Sequence, residues 1–216
     1  MAFEILRKKH AQRTRGFTLV ELVVISGIIV IVSGIVLASN SRFGGVILLE
    51  NLGYDVALSV RQAQVYGISV ARYGTSNFSA GYGVHFQTGS DTYVLFGDVI
   101  AINGMYDCPQ PGSGNCELVA SNTIAHGYSV SALCAPAGTT LTECTVNGSS
   151  LQKASIDVLF QRPEPDAWIS AAGASCTITL SNCKESARIV LTSPRGDHMS
   201  VIVEANGQIS VRRGDQ

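Results

Sequence analysis

The spacing of hydrophobic positions changes along the chain, and the first pattern is a long apolar run. Residues 17–38 are apolar except for four positions, Thr18, Glu21, Ser26 and Ser33. A helix rises about 1.5 Å per residue, so this run would span about 33 Å, more than the roughly 30 Å of a bilayer's hydrocarbon core. We therefore predict a membrane-spanning helix over 17–38.

The next segment has the pattern of a half-buried helix. Its apolar residues recur at steps of three and four, which defines one helix face: Leu49, Leu52, Val56, Val60 and Ala63. Polar residues form a stripe on another face: Asn51, Asp55, Ser59 and Gln62. We predict that the helix continues over 39–73 and ends near Tyr73 and Gly74. The adjacent Gly44 and Gly45 favour a bend or a melted turn.

Beyond residue 74 the period becomes two, which is typical of β-strands. Residues 81–87 and 92–97 flank a turn at 88–91 and predict a hairpin. Further strands are predicted at 118–124, 128–133 and 156–161, followed by a final meander of strands at 176–180, 188–192, 199–204 and 208–212. The expected fold class is α+β, with the long helix packed on an antiparallel β-sheet or β-sandwich over 74–216. The region 103–115 is predicted to be flexible.

Charge is unevenly distributed. Residues 1–16 carry five basic residues and one acidic residue, a net charge of +4, and the remainder carries 10 basic and 15 acidic residues, a net charge of −5. The positive-inside tendency predicts that the basic leader stays cytoplasmic and the body lies outside. An acidic body disfavours broad nucleic-acid binding. With 46% apolar residues, the composition is not that of a disordered chain.

All six cysteines follow the apolar run: Cys108, Cys116, Cys134, Cys144, Cys176 and Cys183. Their even number and the absence of Cys-x-x-Cys spacing indicate disulfides in an oxidising compartment rather than a zinc site. Fifteen pairings are possible for six cysteines. We expect the local scheme of 108–116, 134–144 and 176–183, because each bond then closes a short loop. The alternative is that one pair is free and buried.

The segment RGFTLVEL at 15–22 resembles the cleavage signature of type IV pilins and type II secretion pseudopilins. The resemblance consists of a basic leader, Gly16, Phe17, the carboxylate of Glu21 and the long apolar run. It implies that a prepilin peptidase removes residues 1–16 by cutting between Gly16 and Phe17, and then methylates the new amine of Phe17. It also implies a single-pass protein of the cytoplasmic (inner) membrane, with other pilin or pseudopilin subunits and an inner-membrane assembly platform as partners.

Physical chemistry gives Glu21 a role in such an assembly. A carboxylate at membrane depth is costly unless it has a partner. The amine of a processed Phe17 on a neighbouring subunit would neutralise it, and this pairing would set the axial register because an unpaired buried charge costs several kcal/mol. Gly27 and Gly34 lie seven residues apart on one face and would allow helices to approach closely. The alternative is an ordinary membrane anchor with a chance glutamate.

The body resembles minor pseudopilins of the H type and related minor pilins. The resemblance lies in residues 81–86, 93–98, 188–191, 200–203 and 206–211. It implies a long N-terminal helix packed on antiparallel β-structure, often in two sheets. Major pilins commonly have a proline where this chain has Ala38, which favours a minor subunit here. The expected function is therefore that of a structural subunit of a type IV pilus, a competence pilus or a type II secretion pseudopilus.

The sequence leaves two alternative functions open. Arg212 and Arg213 lie near the C-terminus, as do the arginines with which some minor pilins bind DNA, so a DNA-uptake or adhesive tip pilin is the first alternative. Arg-Gly-Asp occurs at 195–197 and 213–215, but Gly-Asp is common in turns. A membrane-anchored surface enzyme is the second alternative. The chain has no phosphate loop, nucleophile elbow or paired-carboxylate motif, so we expect no catalytic activity.

The sequence predicts neither a cofactor nor a metal site. Three histidines fall on different predicted elements: His85, His126 and His198. Three aspartates near loops lack the regular spacing of a calcium loop: Asp91, Asp98 and Asp107. Trp168 is predicted to lie in the core rather than at an exposed contact.

Overall fold

The computed structural model describes residues 16–69, 80–109, 116–124, 127–146, 148–177 and 180–214. The leader before Gly16, the expected helix end at residues 73 and 74, and His126 lie outside these ranges. The chain divides into two compact units, Met1–Phe43 and Gly44–Gln216. One helix, α1, runs over Leu19–Ile68, and every strand pair that the structure describes is antiparallel. The α+β class is thus confirmed.

In the first unit, α1 is apolar on all sides. Its stretch Leu19–Leu37 has a mean hydropathy of 2.7 and is long and apolar enough to cross a membrane. The helix begins two residues later than predicted because Thr18 caps it: its Oγ1 accepts a hydrogen bond from the N–H of Glu21 at 3.2 Å. The backbone stays helical through residues 39–45, so the alternative of a melted turn there is wrong.

In the second unit, α1 packs on the sheets through the face that its apolar spacing predicts. The five residues of that face are buried: Leu49, Leu52, Val56, Val60 and Ala63. Gly53 and Gly67, on the same side of the helix, allow α1 to approach Met199 and Phe160 closely. A Cβ on Gly53 would lie 2.7 Å from Met199 Cγ, and a Cβ on Gly67 would collide with the backbone carbonyl of Phe160.

The described strands form three sheets. Their bounds are β1 Gly81–Gln87, β2 Thr92–Asp98, β3 Leu118–Thr123, β4 Ser129–Cys134, β5 Ser155–Phe160, β6 Ala167–Ala171, β7 Cys176–Thr177, β8 Leu180–Ser181, β9 Ser186–Thr192, β10 His198–Glu204 and β11 Ile209–Arg213. The strand orders are β3-β2-β1-β5-β6, β11-β10-β9-β4 and β7-β8. Sequence reasoning missed β6 and a short helix α2, Leu141–Thr145. It also placed 176–180 in the final meander, which is wrong, because β7 pairs with β8 in a separate sheet.

A buried apolar cluster joins α1 in the second unit to both larger sheets, with members that include Val56, Val84, Ile156, Ile189 and Val201. A smaller buried cluster consists of residues of β4, β9 and α2 and includes the two cysteines of one disulfide: Ala132, Cys134, Leu141, Cys144 and Val190. Trp168 on β6 lies opposite Leu159 of β5 and is half-buried.

Three disulfides join cysteines that are close in the sequence: Cys108–Cys116, Cys134–Cys144 and Cys176–Cys183. All six cysteines are therefore paired, and the structure has the scheme with short loops. The second bond links β4 to α2, whose first turn is fixed by a capping box between Thr140 and Glu143. Two of the three disulfides therefore have at least one cysteine on a strand, and each closes a loop beside a sheet.

Candidate functional site

The expected cleavage site lies just before α1, in a stretch without regular secondary structure. Residues 16–18 are not helical, and the side chain of Phe17 is 73% exposed. A Cβ added to Gly16 would meet nothing within 4 Å in this chain. The bond between Gly16 and Phe17 is thus accessible and can adopt the extended conformation that proteases bind.

Glu21 lies in the first turn of α1, and its side chain is exposed. Its backbone N–H donates to Thr18 Oγ1, and its position in the first turn places its carboxylate near the positive end of the helix dipole. This position gives Glu21 a local role at the helix start. An exposed carboxylate at the end of an apolar helix is also available to a cation from another molecule.

Gly27 and Gly34 lie on the surface of the apolar part of α1. A Cβ added at either position would meet nothing within 4 Å in this chain. Both therefore leave helix surface open to close approach by another chain.

A second apolar surface on α1 was missed by sequence reasoning. Besides Leu48, five large apolar residues of the second unit's part of α1 are 38–65% exposed: Ile47, Tyr54, Leu58, Val65 and Ile68. Their spacings of seven, four, seven and three place them in one row along the helix, on the side opposite the buried face. We call this row the outer stripe. The seven-residue spacing of Ile47, Tyr54 and of Leu58, Val65 is the sequence signal of this row.

The outer stripe borders a groove between α1 and β11. Tyr54, Leu58 and Arg61 line it from the helix, and Ile209 and Val211 line it from the strand. The groove has a volume of about 250 Å³. Its lining is mostly apolar, so contact with another apolar surface would remove that area from water.

Arg212 and Arg213 lie at the end of β11 and are exposed. Arg212 is opposite Ser200 and Arg213 is opposite Met199 on β10. Consecutive residues of a strand point to opposite faces, so these two side chains do not form one cationic patch by themselves. DNA binding through them stays a prediction.

Among the residues that the structure describes, the histidines and aspartates do not come together as a metal site. His85 Nδ1 lies 2.7 Å from Asp157 Oδ1, and His198 Nδ1 lies 2.8 Å from Thr192 Oγ1. Within the described ranges, no group of three or more His, Cys, Asp or Glu residues could hold a metal ion. Asp91 is exposed in the turn between β1 and β2. Asp98 and Asp107 instead accept hydrogen bonds within the loop that follows β2. Asp98 accepts from the backbone N–H groups of Asn103 and Gly104, and Asp107 accepts from the side-chain amide of Asn103.

No family model, curated protein or solved structure matches this chain. Its function must therefore be inferred from its own residues. The features that bear on function are the accessible bond after Gly16, the exposed side chain of Glu21, the apolar surface of α1 over Leu19–Leu37 and the outer stripe.

Proposed function

We propose that this chain is a pilin-like structural subunit, most similar to a minor subunit, of a type IV pilus, a competence pilus or a type II secretion pseudopilus. In this proposal, a prepilin peptidase cuts between Gly16 and Phe17 and methylates the amine of Phe17. The subunit then assembles through its N-terminal helix. The observation that carries the proposal is an accessible Gly-Phe bond immediately before an exposed apolar helix that has Glu21 in its first turn.

The apolar helix surface supports assembly because it needs a cover. No residue of Leu19–Leu37 is buried within the chain, and all of them are exposed. Burying one Val, Leu or Ile side chain gains about 1.5–3 kcal/mol. Lipid would supply this cover before assembly, and neighbouring helices would supply it in a filament.

The outer stripe supports the same conclusion for the second unit. The opposite face of α1 is packed against the subunit's own sheets, so those sheets leave Tyr54 and Leu58 exposed. A row of apolar residues with a spacing of seven and four resembles the seam of helices that pack against each other. We infer that a neighbouring subunit covers the outer stripe.

Glu21 would neutralise the amine of Phe17 on a neighbouring subunit. Removing the leader creates that positive amine at the end of an apolar segment. A buried charge is costly without a partner, so the pair would favour one register between subunits over others. The position of its carboxylate in the first turn, near the positive end of the helix dipole, gives Glu21 a second, local role, and an experiment must separate the two.

The remaining features of the proposal follow from the sequence resemblance. The fold would be that of the family, a long helix packed on two-sheet β-structure. The leader would lie in the cytoplasm and the body outside the cytoplasmic membrane. Three disulfides support an oxidising location for the body.

Mass spectrometry of the N-terminus tests the proposal. When the chain is expressed with a prepilin peptidase, the mature protein is expected to begin with N-methylated Phe17. The variant Gly16→Val is expected to keep its leader, because its side chain would occupy space in the protease cleft that glycine leaves free. Wild-type protein that still begins with the basic leader in the presence of active peptidase would contradict the proposal.

A further inference from the structure

The two larger sheets have four outer strands in the described part of the chain, and three of these are protected from pairing with another chain. The backbone of β4 is bonded by Gly89 and Ser90 at one end and by residues 151–153 at the other. The backbone of β6 accepts a bond from the N–H of Lys184. β11 carries Arg212 and Arg213, and cationic side chains on an outer strand oppose the addition of a further strand.

β3, Leu118–Thr123, is the fourth outer strand, and it lacks this protection. Among the described residues its backbone pairs with β2 alone. Its sequence, LVASNT, contains neither a charged residue nor a proline. The N–H of the next residue, Ile124, points towards β2, because it donates to the carbonyl oxygen of Asp91 at 2.7 Å. Alternation along an antiparallel strand therefore turns the N–H and C=O groups of Ser121 and Thr123 outwards.

An apolar patch adjoins the start of β3. Leu118 is 47% exposed and Val119 is 40% exposed. Ile100 and Ile102, in the loop after β2, are 49% and 61% exposed. The N–H of Ile100 donates to Glu117 Oε1 at 2.6 Å, which places this loop beside the residue before Leu118. Exposed apolar side chains that are grouped in this way mark contact surfaces.

The loop that carries the two isoleucines is held in one conformation by buried carboxylates. The side chain of Glu117 also accepts the N–H groups of Val99 and Asp107, and Asp98 accepts those of Asn103 and Gly104. Ile102 has a φ of +46°, a conformation that β-branched residues rarely adopt and that persists only where its surroundings impose it. A fixed loop loses little conformational freedom when a partner contacts it, which favours binding.

We propose that β3 is a docking edge for a second copy of this chain, whose own β3 adds to it as an antiparallel strand. We call Leu118–Thr123 the open edge. Pairing about a two-fold axis at Ser121 would place each Ser121 opposite the same residue of the other copy, so that the outward N–H of one meets the outward C=O of the other.

Charge favours a second copy as the occupant of the open edge. In a two-fold contact, each charge near the axis faces an identical charge, and like charges directly opposite each other destabilise a strand pair. The open edge carries no charge, so two copies meet without this penalty. Each copy also brings the same outward donors and acceptors, so every group that one copy exposes finds its complement on the other.

The short length of the open edge limits the strength of the pairing. It has six residues, whereas a standard interface has about 20–30 residues on each side. We therefore expect a weak, concentration-dependent association, which confinement of two copies to one membrane would promote. The proposal concerns the second unit and does not rest on cleavage of the leader or on filament assembly.

Hydrogen exchange at single-residue resolution tests the pairing. The full chain is measured in detergent micelles at a low and a high ratio of protein to detergent. The amides of Ser121 and Thr123 are expected to exchange about tenfold more slowly at the high ratio, when about nine in ten chains are paired. The amide of Asn122 points towards β2, so its exchange should be the same at both ratios and reports that β3 remains folded.

Two substitutions at the exposed Ser121 complete the test. Ser121→Lys places two ammonium groups opposite each other and should abolish the dependence on the ratio. Ser121→Thr, the matched control, keeps a neutral residue that suits a strand and should retain it. The proposal would be overturned by amides of Ser121 and Thr123 that exchange at the same rate at both ratios, or by equal protection in Ser121→Lys and wild type. Association of the chains without protection of these two amides would assign the contact to another surface and would also overturn it.

Discussion

Gln64, on the inner side of α1, donates a hydrogen bond from its Nε2 to the backbone carbonyl oxygen of Gly207 at 3.1 Å. The same nitrogen donates to the carbonyl oxygen of Pro165 at 3.0 Å, and the Oε1 of Gln64 accepts from Arg61. One buried amide therefore links the helix to the β10–β11 turn and to the loop before β6. Gly207 has a φ of +79°, and a Cβ there would collide with the carbonyl of Pro165, so the turn requires glycine.

Replacing Gln64 is expected to destabilise the body. Gln64→Ala leaves the buried carbonyl group of Gly207 without this donor, which costs about 1–3 kcal/mol, and also removes the bond to Pro165. Chemical denaturation of the full chain, followed by the fluorescence of the single tryptophan, Trp168, measures this cost. Gln62→Ala is the matched control, because Gln62 is exposed two residues away, and it should change stability by less than about 0.5 kcal/mol. Equal effects of the two variants would contradict the role of Gln64.

Two helix glycines are expected to respond oppositely to alanine. Gly67→Ala would press a methyl group on the backbone carbonyl of Phe160, and overpacking of this kind costs about 1–3 kcal/mol. Gly44→Ala meets nothing within 4 Å and should stabilise the helix by about 0.5–1 kcal/mol. Denaturation midpoints of the two variants give the comparison. A Gly67→Ala variant as stable as wild type would show that the helix and β5 are not in close contact.

The sequence predicted those elements whose apolar and polar residues form a regular pattern within one short segment. Strands β1 and β2 follow from alternation and a four-residue turn. The inner face of α1 follows from steps of three and four. By contrast, β6 follows Pro163 and Pro165, which predict a loop. Its backbone is also bonded by residues outside the β5–β6 pair: the N–H of Lys184 donates to the carbonyl of Ile169, and the N–H of Ala167 donates to the carbonyl of Ala205.

The loop that follows β2 illustrates the same limit. Glycine and proline in 103–115 predicted flexibility, yet the described part, 103–109, includes residues held by Asp98, Glu117 and Asp157. Two of these acids lie 10 or more residues beyond the amides that they bind. No local pattern links them. At the N-terminal site, by contrast, Gly16, Phe17 and Glu21 are adjacent, so one segment carries the whole resemblance.

Substitutions at the start of α1 separate the two roles of Glu21. Glu21→Ala removes the carboxylate that would neutralise a neighbour's amine, so the variant should be processed but should be strongly depleted from sheared filaments. Thr18→Ala removes only the cap, a loss of about 1 kcal/mol at the helix end, and should still be incorporated. Immunoblots of the membrane and filament fractions measure both. Equal depletion of the two variants would favour a purely local role for Glu21.

The outer stripe offers a test of assembly in the second unit of the chain. Leu58 is 65% exposed, so Leu58→Lys should leave the unfolding free energy of the body within about 0.5 kcal/mol of wild type. A neighbouring subunit that covers this position would have to bury an ammonium group without a partner, so incorporation into filaments should fall. Gln62→Lys adds the same charge on the polar stripe and should be incorporated normally. If Leu58→Lys and Gln62→Lys entered filaments equally well, a neighbouring subunit could not be the cover of the outer stripe.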